Sequence, residues 1–242
     1  MRSLPITMGF VLAIGLFSGC TKTEKEEVER IPDVVESQVG ENVFKMGDKT
    51  FTVEPSTKVE FEQYKKTLFD TSETINLKRD AGYVTRVGDT LLFKLESGKY
   101  TKLINNPDQE ADNYAHYDFM GRIPEINQSV VLGSFYEWYN YYLINHYTGD
   151  TTVLSGYPEV SPDHRFIVSG NSDLVAGFTF NGLEFYQTED KKLKLIDTKQ
   201  LGTWGPSELF WTNNSTLVIQ RDLIDTTQES MQRTDFIKLR IK

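Results

Sequence analysis

His116, His146 and His164 are the only histidines in this 242-residue chain. No two stand at HxH, HxxH or HExxH spacing, the patterns that place two ligands on one metal, so no metal site is assigned. His164 reads as a turn residue and His146 as a strand residue. The chain has no GxSxG elbow, P-loop or GxGxxG motif, so no catalytic residue and no cofactor is assigned. A Ser-His-Asp triad assembles in space, and nothing local points to one. The segment Asn106-Pro107-Asp108-Gln109-Glu110-Ala111-Asp112-Asn113 puts oxygen ligands at alternate positions, which hard cations favour. It lacks the Gly and the Glu an EF-hand loop requires, since Ala111 and Tyr117 stand in those places, so it reads as a solvated loop. Phe135-Tyr136-Glu137-Trp138-Tyr139-Asn140-Tyr141-Tyr142 carries aromatics on both faces of an expected strand. Tyr and Trp combine a large apolar area with a polar tip. Tyr136, Trp138, Tyr139 and Tyr141 are therefore candidate contacts to a sugar ring or a protein partner. Burial of both faces between packed sheets is the alternative.

The single cysteine, Cys20, excludes an internal disulfide framework and a Cys-based zinc site. It follows a basic Arg2, an apolar run from Leu4 to Phe17, and the small residues Ser18 and Gly19. The run is shorter than the roughly 20 residues a spanning helix needs, and the pattern describes a secretory signal. Leu16-Phe17-Ser18-Gly19-Cys20 resembles the lipobox of bacterial lipoproteins. Ser18, Gly19 and Cys20 match it; Phe17 stands where Leu is usual. The resemblance implies removal of residues 1–19 and acylation of Cys20 with palmitate-type chains on its sulfur, usually with a further chain on its amino group. Each buried methylene then contributes about 0.8 kcal/mol, and two or more chains anchor stably. Residues 20–42 begin with the charged run Thr21–Arg30, which cannot bury a core and reads as a tether. Lys25-Glu26-Glu27 resembles the acidic export signal of surface-displayed Gram-negative lipoproteins. Thr21 stands where an inner-membrane retention signal often has Asp. The expected location is the outer membrane, lipid-anchored; display at the cell surface and an inward-facing position both stay open.

With 26 Lys and Arg against 35 Asp and Glu, the net charge of −9 argues against a nucleic-acid partner. A hydrophobic fraction of 38% excludes a mainly disordered chain.

The elements expected to carry these residues are mostly strands. Val43–Val53 predicts a hairpin around Gly47-Asp48. Thr57-x-x-Glu60 is a capping-box pattern that opens a helix with Phe61, Tyr64 and Leu68 on one face and a Glu62–Lys66 pair. Hairpins are predicted for Leu91–Leu95 with Tyr100–Ile104, Tyr141–His146 with Thr151–Leu154, and Leu183–Gln187 with Leu193–Ile196. Their turns, marked by Gly98, Gly149 and Asp190, fall 51 and 41 residues apart. Between them recurs an apolar residue, a polar turn and an apolar run, at Glu125–Leu132, Glu159–Val168 and Glu208–Ile219. Repeats of roughly 40–50 residues with four short strands each are the sequence pattern of propeller blades. Ser161-Pro162-Asp163-His164-Arg165-Phe166 resembles the SPDG turn of TolB-like and WD40-like propellers, with His164 in place of Gly. The resemblance implies a turn joining the first two strands of a blade, without chemistry of its own.

The expectation is an all-β domain at 43–242, with propeller-like four-stranded repeats in about three to four blades and one N-terminal helix; a β-sandwich is the alternative. The expected function is a non-catalytic, membrane-tethered module for a protein or glycan partner. A surface carbohydrate-active enzyme and a structural accessory of an envelope assembly are the rivals.

Overall fold

The computed structural model describes residues 42–65, 72–108, 113–227 and 231–242. All lie in one compact unit, Glu36–Lys242. Cys20, the tether residues before Asn42, Lys66, Leu68 and residues 109–112 of the acidic loop lie outside the described residues.

The chain opens with the expected hairpin, β1 (Val43–Met46) and β2 (Lys49–Pro55), around a left-handed Gly47. Helix α1 (Lys58–Tyr64) starts where the capping box predicts: the Thr57 hydroxyl accepts from the Glu60 N–H at 3.1 Å. The reciprocal arm is diverted. The Glu60 carboxylate accepts from the Ser56 hydroxyl and from Lys238, each at 3.0 Å. Phe61 is fully buried between Phe210 and Phe236, while Tyr64 is exposed.

A second helix, α2 (Glu73–Arg79), was not expected. Its buried residue is Asn76 rather than an aliphatic side chain, so it carries no apolar stripe to read. Polar contacts hold it instead: Glu73 accepts from Arg86 and from the Phe119 N–H, and Asn76 donates to the Phe119 carbonyl.

From Val84 onward the chain runs as antiparallel meanders. β3 (Val84–Val87), β4 (Thr90–Lys94) and β5 (Tyr100–Ile104) form the first sheet. β6 (His116–Ile123), β7 (Gln128–Ser134), β8 (Tyr139–Asn145) and β9 (Thr151–Leu154) form the second. β10 (Glu159–Val160), β11 (Phe166–Asn171), β12 (Gly182–Glu189) and β13 (Lys192–Gln200) form the third. The fourth contains β14 (Trp204–Asn213), β15 (Thr216–Ile224) and β16 (Gln232–Ile241), completed by β2 and β1 in the order β1-β2-β16-β15-β14. Among the described residues the protein is all-β in four antiparallel sheets, not the two of a sandwich. The uniform four-stranded repeat and the single helix are corrected there to sheets of three, four, four and five strands and two α-helices. The first sheet lacks a leading strand among the described residues. α2 precedes β3 in the chain and packs on β6.

The recurring sequence patterns have fixed places in this plan. The turns at Gly98, Gly149 and Asp190 each join the last two strands of successive sheets. The second pattern joins the first two: β6 to β7, β10 to β11, β14 to β15. In the middle copy the Ser161 hydroxyl donates to Asp163 at 2.7 Å and accepts from the Phe166 N–H at 3.0 Å. His164 has a φ of 60°, the left-handed angle at which Gly is usual.

Three apolar clusters fill the spaces between sheets. Leu91, Phe93, Phe119 and Val131 join the first to the second. Val130, Leu143, Ile167 and Tyr186 join the second to the third. Phe51, Phe185, Leu209 and Leu217 join the third to the fourth. α1 covers the far face of the fourth sheet, since Phe210 and Phe236 alternate with the inward Leu209, Trp211 and Ile237.

Phe51 bridges the N-terminal hairpin to this last core through Phe44 and Phe185, with centroids 5.2 and 5.3 Å away. Phe51→Ala should lower stability by about 3–5 kcal/mol. Val59→Ala, on the exposed side of α1, should change it by less than about 0.5 kcal/mol. Urea unfolding of the two variants checks both.

Candidate binding surfaces

Hydrogen bonds between neighbouring sheets show that all four point the same way. Asn105, beside the β3–β4 turn, accepts from the Tyr117 N–H at 2.9 Å, tying the first sheet to the start of β6. The Tyr139 hydroxyl at the β7–β8 turn donates to Asn171 at 2.9 Å, at the end of β11. The Ser172 hydroxyl donates to Asp222 at 3.0 Å, near the end of β15. The turns β3–β4, β7–β8, β11–β12 and β15–β16 therefore share one end of the body.

That end mixes apolar and acidic side chains. Its turns and the strand ends beside them expose large hydrophobic side chains, Val87; Tyr136, Trp138 and Tyr139; Val175 and Phe178; Ile224 and Met231, together with Asp89 and Glu137. Tyr136 and Phe178 are 67% and 68% exposed, well beyond what core packing would leave. The β11–β12 loop is wound around Asp173, whose carboxylate accepts from the Gly177 and Thr179 N–H groups and the Thr179 hydroxyl. Burial alone would raise the Asp173 pKa, and those hydrogen bonds outweigh it, so the carboxyl stays below its ordinary range. The loop thus holds its apolar tip with a fixed backbone.

The aromatic stretch divides between turn and strand. The expected strand begins only at Tyr139; Phe135 to Trp138 form the turn, with the Phe135 N–H on the Trp138 carbonyl at 2.9 Å and Glu137 at φ 64°. Tyr136, Trp138 and Tyr139 are brought together at the exposed end. Tyr141 is half-buried between sheets, edge-on to Tyr157 at 5.7 Å, and so takes the packing role. Trp138 stacks flat on Phe135 at 3.9 Å, which covers one of its faces.

A second feature is concave. The first strands β6, β10 and β14, with α2, surround a cleft of about 660 Å3. Arg79, Arg122, Glu125, Tyr157, His164 and Trp211 are among its lining residues. Arg79 pairs with Asp80 at 3.1 Å. The Arg122 guanidinium lies 3.6 Å over the Tyr83 ring and donates to Asn127 at 2.8 Å, and its Nε makes no hydrogen bond among the described residues. Burial, then the nearby Glu159 charge, pushes the Tyr157 hydroxyl up to about 12, so it is a neutral donor at ordinary pH. Pattern reading missed the cleft because it joins residues from α2, β6, β7, β10 and β14.

No family model, curated protein or solved structure matches this chain. Function must therefore be argued from the chain's own chemistry. Among the described residues no helix is long and apolar enough to cross a membrane, and no group of three or more His, Cys, Asp or Glu is placed to hold a metal ion.

One pair has the geometry of a nucleophile and its base. Ser129 Oγ lies 2.8 Å from His146 Nε2, and His146 Nδ1 lies 2.7 Å from the Lys94 carbonyl. A carbonyl only accepts, so Nδ1 carries the proton and Nε2 accepts from Ser129. Ser129 and His146 are 0% and 1% exposed, so no substrate reaches them. The pair ties the second sheet to the first. His146, expected in a strand, is the first turn residue after β8, while His164 is in the turn it was assigned to. His116 is exposed, 3.2 Å from Asp118.

Burial holds the His146 pKa below its ordinary value. The unfolded state therefore takes up a proton that the folded state refuses. Its stability contribution is full above the unfolded imidazole's pKa of about 6.5 and declines as the pH falls below it. Urea midpoints should drop between about pH 7 and pH 5.5. His146→Gln should flatten that slope, and Ser129→Ala, which keeps the imidazole, should retain it.

Proposed function

We propose that this chain is a lipid-anchored, non-catalytic binding module of the outer membrane. Its body is propeller-like, and its cleft takes a segment of a protein partner or a short glycan. The observation that carries the reading is the cleft between the leading strands. It is the concave place where aromatic Tyr157 and Trp211 meet two arginines and Glu125. An acidic chain with such a cleft suits a ligand held by shape and a few directed hydrogen bonds.

The propeller-like reading is supported by order and orientation. Sheets follow one another along the chain, equivalent turns share an end, and β2 and β1 from the chain start complete the last sheet. The anchor is supported by Leu16–Cys20 and by the charged segment behind it. The Lys25-Glu26-Glu27 triplet supports display at the cell surface.

Two measurements test this reading. Mass spectrometry of the native protein should find a mature chain starting at an acylated Cys20, and Cys20→Ser should keep Met1. An unmodified residue 20 would overturn the anchor. Glycan arrays and capture from envelope extract should yield a ligand whose affinity falls about tenfold in Arg79→Gln, the loss of one charge-assisted hydrogen bond. Trp138→Ala, away from the cleft, should leave it unchanged. A ligand insensitive to Arg79 would overturn the cleft as its site.

A further inference from the structure

We infer that the cleft takes the free C-terminal carboxylate of a partner polypeptide whose last side chain is apolar. The inference rests on the reading of the cleft as the binding site and deepens it by naming the ligand's chemistry. Its first support is a positive charge without a counter-ion. Arg122 is half-buried, lies over the Tyr83 ring and donates to the neutral amide of Asn127. It makes no ion pair among the described residues. A charge withdrawn from water is unfavourable until an opposite charge compensates it, and a bound anion supplies that compensation.

The second support is the way Arg79 is presented. Its Nε and Nη2 donate to Asp80 Oδ2 at 3.3 and 3.1 Å, and its Nη1 has no partner among the described residues. The side chain is 47% exposed and lines the cleft. Gly121, at the bulge of β6, makes room for it: a Cβ there would stand 2.4 Å from Arg79 Nη2. The guanidinium is therefore held by main chain beneath it and by a carboxylate along one edge, while the end of the fork stays open. Such a fork matches a carboxylate with two parallel hydrogen bonds. The Tyr157 hydroxyl also makes no hydrogen bond among the described residues and, being neutral, can donate. The side-chain capacity left over at Arg79, Arg122 and Tyr157 is all donor capacity, which suits an anion. Glu125, exposed at the rim, faces the rest of the arriving chain and disfavours a second acidic group there.

Shape decides between peptide and sugar. Met120, Ile123, Val130, Pro158 and Val160 also line the cleft, a bed for one aliphatic side chain beside the carboxylate. Trp211 is buried with its indole N–H on the Glu159 carbonyl at 3.0 Å, and Tyr157 is packed on Tyr141. Neither ring offers a sugar an open platform. A chain end is the ligand that brings a carboxylate and an apolar side chain on adjacent atoms.

The test uses the processed full-length protein, immobilised, and pools of hexapeptides with random residues at the first five positions. The last residue is Val, Leu, Ile or Phe, and each pool is made as the free acid and as the C-terminal amide. Mass spectrometry of the retained peptides should show free acids enriched at least about tenfold over amides, the loss of one charge-assisted pair. Asp and Glu should be depleted at the fifth position. Arg79→Gln should remove most of the preference for the free acid, and so should Tyr157→Phe, which keeps the ring and its packing; circular dichroism should be unchanged in both. Equal retention of acid and amide, or retention of neither, overturns the inference. A glycan or an internal peptide segment whose affinity falls in Arg79→Gln overturns it too, and leaves the cleft as the binding site. A free-acid preference that survives both substitutions overturns the inference and the cleft together.

Discussion

Residues 51–55 hydrogen-bond in register with residues 237–241, so the first strands of the chain and the last close one sheet. Glu54 and Arg240, 186 residues apart, meet on it. Everything at that end of the body follows from this pairing. Without β2, β16 would offer a free edge of ten residues, a template for association with another chain. β2 also delivers the chain to Ser56 and Thr57, where α1 begins, and so sets Phe61 against Phe210 and Phe236. The Phe44–Phe51 stack carries the N-terminal hairpin into the core shared by the third and fourth sheets.

Among the described residues the sheets share no backbone ladder, so their relative placement depends mainly on side chains. The apolar clusters supply most of the attraction but are tolerant of sliding. Short polar links at the edges are less so, because a buried amide that loses its partner bears the full desolvation cost. Asn171 shows how far this is taken. It is buried, accepts from Tyr139 of the second sheet, and donates to Thr179 and the Phe180 carbonyl of the loop beside it. Asn145 does the same at the other end, donating to the Lys191 carbonyl at 2.7 Å. Such links fix the turn end and the cleft as surfaces of definite shape.

Where a single element carries its own signal, the sequence is readable. Thr57 and Glu60 mark the start of α1, the Gly and Asp turns mark the hairpins, and Ser161 to Phe166 mark a joining turn, all by local hydrogen bonding. α2 was silent because its contacts are long-range and polar, with Asn76 and Glu73 reaching β6. The aromatic stretch was read one step too regularly. Glu137 takes a left-handed angle that alternation cannot foresee, which moves Tyr136 and Trp138 from a strand face to a turn tip. The cleft and the shared turn end were not legible at all. Each is assembled from residues whose nearness depends on how whole sheets are stacked. The Ser129–His146 pair was equally hidden, and its burial matters more to its role than its chemistry does.

The late arrival of β16 also shapes the order in which the protein can mature. The β1–β2 hairpin has no sheet to join until β16 is available. Pairings of such long separation form slowly. By placing β2 and β16 so far apart in sequence, this topology leaves one edge of β16 uncovered until the two meet, so the closing of the fourth sheet is a late step of folding.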